Sequence, residues 1–71
     1  MDNGLIIVGL DVGTTKISAI AGKVTDDNGI EIIGVGTSTS KGVRKGIVVN
    51  IEEVVESIYE AVKQLERNAS I

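Results

Sequence analysis

The 71 residues contain no cysteine and no histidine. Their absence excludes a disulfide framework and the usual ligand sets of a zinc site, and it fits a reducing, cytoplasmic setting. Tryptophan and phenylalanine are also missing, and Tyr59 is the one aromatic residue. Proteins that bind single-stranded nucleic acid stack bases on aromatic side chains, and those that bind duplexes carry a basic stripe that displaces phosphate counterions. This chain has neither, and its formal net charge is −3. A nucleic-acid partner is therefore not expected. No apolar run approaches the roughly 20 residues that span a bilayer, and the opening "MDNG" lacks the positive flank of a signal peptide. No repeat or low-complexity segment is visible. A chain this short makes one small domain. A core of that size contributes no more than about 3–5 kcal/mol, and here it must be built from Ile, Val, Leu and Ala.

Three apolar segments come first. Residues 5–11 are nearly continuous in apolar side chains, which suits a strand covered on both faces. Residues 16–24, "KISAIAGKV", alternate imperfectly: Ile17, Ala19 and Ala21 share one side, and Gly22 marks a bulge or a close backbone approach. "TDDNG" predicts a tight hairpin turn, with Asn28-Gly29 supplying positive φ. Residues 30–38 form the third strand, in which Gly34 and Gly36 leave one pleat face bare. A loop carrying Lys41, Arg44 and Lys45 follows, punctuated by Gly42 and Gly46, and its charges read first as a solvated surface. Residues 47–49 are a short extended piece. Asn50, with Glu53 three residues on, forms a capping box. Ile51, Val54, Val55, Ile58, Val62 and Leu65 recur at helical spacing, which predicts a helix over 51–67. The expected fold is α/β with an α+β-like arrangement: a three-stranded antiparallel meander, a short extended segment and one helix. That helix can cover one sheet face and leaves nothing for the other. The chain is thus expected to be the opening piece of a larger α/β domain, and alone to self-associate or fold marginally.

The first strand ends in "GLDVGTTK", which poses a chemical question. A hairpin needs a turn, but not an acid at the strand end with two hydroxyls and a lysine beside it. Gly13 lets a backbone approach an anion. The N–H groups from Gly13 to Thr15 can form a concave nest for phosphate oxygens. Thr14 and Thr15 add hydroxyls, and Lys16 adds a positive charge. Asp11 repels phosphate directly but can act through Mg²⁺ and a coordinated water, since Mg²⁺ keeps several waters and takes few carboxylates. Asp, Gly and Thr are also ordinary turn residues, so a hairpin with no ligand fits the same letters. The spacing matches neither a P-loop nor a dinucleotide-binding fingerprint.

Strand, Asp-x-Gly-Thr-Thr, strand resembles the first phosphate motif of the actin-like ATPase superfamily. "VGLDVGTTKISAIAG", with Lys16 after the threonines, and "IIGVGTSTSKGVRKGIVVNIEEVVESI" most resemble the start of the FtsA family of bacterial cell-division proteins. Residues 40–46, "SKGVRKG", are the more specific half. The resemblance implies part of an actin-like, ribonuclease H-like domain, residues 1–71 being the beginning of its subdomain 1A. It implies ATP and Mg²⁺ as cofactors of a longer protein, not bound tightly by these residues alone, with Asp11 the Mg²⁺-linked acid and Gly13, Thr14, Thr15 and Lys16 the phosphate-binding turn. It implies a longer protein that is a weak ATPase, polymerises, binds the tubulin-like protein FtsZ, and holds to the cytoplasmic face of the membrane at the division septum by a C-terminal helix not within these residues. No general base is assigned, and turnover by these residues alone is not expected. Three other readings stay open: the PilM-like scaffolds of type IV pilus assembly, the start of an FGGY-like sugar kinase, and an interaction module without ligand.

Overall fold

Residues 4–71 are described by a computed structural model, in which the apolar alternation becomes six elements. They are β1 (Ile6–Val12), β2 (Lys16–Val24), β3 (Ile30–Thr39), β4 (Val43–Arg44), β5 (Ile47–Val48) and α1 (Ile51–Ala69). The first three form an antiparallel sheet in the order β1-β2-β3, and β4 and β5 pair as a separate two-stranded ribbon. The expected meander and helix are thus present. The ribbon is an addition: in the basic loop Lys45 (φ 52°) and Gly46 (φ 76°) both take positive φ, the requirement of a two-residue hairpin turn.

The turn between β2 and β3 differs from the expected one. Only Asn28 of the Asn28-Gly29 pair has positive φ, at 64°. The Thr25 amide donates to the Gly29 carbonyl (3.0 Å) and the Asn28 amide to the Thr25 carbonyl (3.2 Å). This is a three-residue loop whose last residue is left-handed. Thr25 determines it: its hydroxyl donates to the Asp27 carboxylate and accepts from the Gly29 amide at 3.1 Å. The Gly29 amide also donates to the Asp27 carboxylate at 3.3 Å, and the Thr25 hydroxyl first and this Gly29 amide second hold the Asp27 carboxyl below the usual carboxylate range. Further along, the register slips between Ala21 and Gly22, so Gly22 does mark a bulge.

The sheet has two unlike faces. Directly opposed residues of antiparallel strands share a face. Val12, Leu10 and Val8 therefore lie with Ile17, Ala19 and Ala21, and Gly36 and Gly34 lie with Ala19 and Ala21. Helix α1 packs on this face, mainly over β3 and then β2. Ile17, Ala19, Ala21, Ala61 and Leu65 make the buried core, flanked by Ile33, Ile58, Val62 and Ala69. The bare positions now have a cause. A Cβ on Gly36 would fall inside the Ala61 carbonyl and the Leu65 amide, and one on Gly34 would lie 2.6 Å from the Ala69 methyl. The helix backbone rests on the glycines. For the same reason its buried face carries small residues, Ser57 and Ala61, between Val54 and Leu65. Ile51 and Val55, which the apolar spacing placed in the stripe, are exposed at 72% and 59%. Close approach brings small side chains to the contact line and moves the outermost large ones off it.

The helix is capped at both ends. Asn50 is extended (φ −147°, ψ 103°) and its side chain accepts from the Glu53 amide at 3.0 Å, a cap worth about 1 kcal/mol. The helix runs to Ala69, two residues past the expected end, and Ser70 caps it in a left-handed conformation, donating its amide to the Glu66 carbonyl.

The two sheet edges are treated differently. At β3, the Gln64 side chain accepts from the Thr37 amide (2.6 Å) and the Asn68 side chain donates to the Val35 carbonyl (2.8 Å). Two amides one helical turn apart thus stand in for a neighbouring strand. At β1 there is no such cover among the described residues. Leu5 and Gly13 bond across to β2 residues, so alternation turns the backbone groups of Ile6, Val8, Leu10 and Val12 outward. All seven residues of β1 are exposed. The expectation of a doubly covered strand therefore fails within the described residues, because α1 sits over β2 and β3 rather than over β1.

Candidate functional site

The turn between β1 and β2 is closed by one bond, from the Gly13 amide to the Lys16 carbonyl at 3.0 Å. A Cβ on Gly13 would lie 2.9 Å from that carbonyl oxygen. Glycine is therefore required by the turn itself, before any ligand is considered. The bond also commits the Gly13 amide, so the donors open to an anion are fewer than three. The amides of Thr14 and Thr15 have no acceptor among the described residues, and both residues are exposed.

The flanking strands bring the charged groups to one side. Lys16 and Ser18 alternate with buried Ile17 and Ala19, so they lie on the face away from α1. Asp11 opposes Ser18 across β1 and β2, and Thr37 and Thr39 oppose Ser18 and Lys16 across β2 and β3. Thr15, Lys16, Thr37 and Thr39 line a shallow hollow there. The five residues singled out from the sequence, Asp11, Gly13, Thr14, Thr15 and Lys16, are thus contiguous, with both charges on one face. Among the described residues no group of three or more acidic side chains could hold a metal ion. A divalent cation at Asp11 would take its other ligands from water and a bound phosphate, which suits Mg²⁺.

Behind the turn lies a set of serines that the sequence reading passed over. Ser40 donates its amide to the Thr15 carbonyl (3.0 Å) and its hydroxyl to the Gly13 carbonyl (2.6 Å). The next amide, of Lys41, donates to the Ser57 hydroxyl at 3.1 Å, and Ser38 donates its hydroxyl to the Ser57 carbonyl at 2.6 Å. Ser57 is buried within α1, 1% exposed, and Lys41 and Ser38 give it partners as burial requires. The available signal was the start of the "SKGVRKG" segment, which stood out with no structural reason attached. Elsewhere Lys63 lies 5.8 Å over the Tyr59 ring, beside a hollow between the β3 edge and α1. No helix among the described residues is long and apolar enough to cross a membrane.

No protein-family model matches the chain. Individual proteins do. The chain is 46% identical over 69 residues to the cell division protein FtsA of Pseudomonas aeruginosa, a match covering 97% of this chain and 16% of that protein. It is 48% identical over 61 residues to FtsA of Borreliella burgdorferi, covering 86% of this chain and 15% of that protein. With FtsA of Escherichia coli it shares 43% over 61 residues, 86% of this chain and 14% of that protein. The chain spans about a sixth of the length of these curated relatives. Over the stretch it shares with them, the chain is similar to the FtsA cell division proteins, as a fragment of such a protein would be.

Proposed function

We propose that residues 11–16 form the first phosphate-binding turn of an ATP site in an actin-like cell-division protein. The observation that carries this reading is the pair of amides at Thr14 and Thr15 without acceptors among the described residues, next to exposed Lys16 on the face that also holds Asp11. Consecutive free N–H groups with a cation beside them suit phosphate oxygens. The Thr14 and Thr15 amides and hydroxyls hold the phosphate, Lys16 offsets its charge, and Asp11 orients a water of the accompanying Mg²⁺. Mg²⁺ supplies charge neutralisation when bound. In this reading the longer protein polymerises and joins FtsZ to the cytoplasmic face of the membrane at the division septum. Those partners are reached through other segments. The chain offers phosphate donors from one side only, whereas phosphoryl transfer needs stabilisation from several directions. The 71 residues alone are therefore expected to show no ATP turnover.

In a full-length protein carrying this segment, Asp11→Ala is expected to weaken ATP binding roughly tenfold or more with Mg²⁺ present and to leave it little changed in EDTA. Gly13→Val, which forces a side chain against the Lys16 carbonyl, is expected to weaken binding under both conditions. Calorimetric titration reads both. Equal losses for Asp11→Ala with and without metal would remove the metal role from Asp11. Undiminished binding by Gly13→Val would remove the turn from the site.

A further inference from the structure

From the serine bonds behind the turn, we infer that Ser40 is the positioning residue of the phosphate-binding turn, anchored to helix α1 through Ser57. The inference rests on the reading of residues 11–16 as a phosphate site and adds the device that keeps its donors available.

A two-residue loop of threonines has no intrinsic reason to hold its amides free. Peptide planes can rotate in such a loop, and a rotation that turns a carbonyl toward the ligand replaces a donor with a repelling oxygen. Each peptide plane joins the carbonyl of one residue to the amide of the next. The Gly13 carbonyl shares its plane with the Thr14 amide, and the Thr15 carbonyl shares its plane with the Lys16 amide. Ser40 binds both carbonyls, one by its hydroxyl and one by its amide. The first bond fixes the plane carrying the Thr14 donor. The second fixes the far end of the loop, and the Thr15 amide sits between two fixed planes. No other described side chain bonds these two carbonyls.

Ser40 is itself fixed from behind. It ends the run Ser38-Thr39-Ser40, and Ser57 is bonded two residues before it and one residue after it: by the Ser38 hydroxyl and by the Lys41 amide. Ser57 lies on the buried face of α1. The turn is therefore referred to the helix rather than only to its own strands, and a shift of α1 along the sheet reaches the phosphate donors through the two bonds at Ser57 and the two from Ser40. This accounts for serine at the head of "SKGVRKG". A residue without a hydroxyl leaves the Gly13 carbonyl free to turn. A threonine keeps the bond.

The test uses a full-length protein carrying this segment, labelled with ¹⁵N, and the variants Ser40→Ala, Ser40→Thr and Ser38→Ala. Two readouts are taken: the amide resonances of Gly13 to Lys16 without ligand, and their response to tripolyphosphate with Mg²⁺. In Ser40→Ala the ligand-free Thr14 and Thr15 resonances are expected to move and broaden. Its tripolyphosphate affinity is expected to fall about fivefold, the factor for one hydrogen bond. Ser40→Thr is expected to keep both near the parent values. Ser38→Ala loses one of the two bonds to Ser57 and none to the turn, so its melting temperature is expected to fall while the turn resonances, still tied to Ser57 through the Lys41 amide, move less than in Ser40→Ala. Ligand-free resonances unchanged in Ser40→Ala would overturn the inference, and so would a threonine variant that behaves like alanine. Parent resonances that ignore tripolyphosphate would instead overturn the phosphate reading, while the ligand-free spectra still judge whether Ser40 sets the turn.

Discussion

Gly36→Ala is expected to unseat helix α1. One methyl group is added, but it enters the Ala61 carbonyl and the Leu65 amide, and backbone cannot step aside as a side-chain tip can. The whole helix must rise off the sheet. Overpacking of this kind costs about 1–3 kcal/mol, occasionally more. A core of this size contributes only about 3–5 kcal/mol. The loss also spreads, because lifting α1 removes Leu65 and Ala61 from Ile17, Ala19 and Ala21. The variant is therefore expected to lose most of its helical circular dichroism at 25 °C, or to melt far below the parent. Gly9→Ala is the control: a Cβ at Gly9 meets nothing within 4 Å, and its melt is expected to stay at or above the parent's. If Gly36→Ala melts with the parent, the helix does not rest on the glycines and the packing described above is wrong.

The second large effect is association. Val8, Leu10 and Val12 share the helix-side face of the sheet yet are 44–49% exposed. On the opposite face Ile7, Ile20 and Val35 are exposed at 42–47%. Both apolar surfaces meet at a strand whose outer backbone groups are unpaired. Such a patch marks an interface or an aggregation hazard, and a bare edge without lysine, proline or bulge is a template for another strand. The chain is expected to self-associate at micromolar to millimolar concentration, with a melting temperature that rises with concentration. Val8→Lys places a charge on that edge and is expected to shift the population to monomer. Sedimentation across a dilution series reads both. A parent that stays monomeric at millimolar concentration, with a sharp concentration-independent melt, would show that these surfaces need no cover.

Much of this architecture was legible from residue order, and the exceptions have physical causes. The strands follow from alternation and the helix start from Asn50 and Glu53, because these are local rules. The bareness of Gly34 and Gly36 was visible, but its purpose was not, since nothing in a strand says that a backbone will lie against it. The same gap put Ile51 and Val55 in a helix stripe whose other members, Val54, Ile58, Val62 and Leu65, do face the sheet. Periodicity weights large apolar residues, whereas Ser57 and Ala61 reach the contact line because they are small. At the turn, residue types and order drew attention to Asp11 through Lys16. The commitment of the Gly13 amide to Lys16, and the Ser40 bonds from a segment 27 residues away, depend on chain returns that no local pattern encodes. Lys45-Gly46 is a plainer omission: the pair read as punctuation in a basic loop, and it is a hairpin turn.

Gln64 and Asn68 carry a consequence for how the protein fails. The residues that blunt the β3 edge belong to the helix, so shielding that edge and docking the helix are one event. When α1 detaches, the sheet does not merely lose its cover on one face. It passes at once from a body with one open edge to a body with two, able to pair at both sides and so to form chains rather than closed pairs. Fibre formation would then track the population of the helix-detached state, a local opening, well before the chain as a whole unfolds.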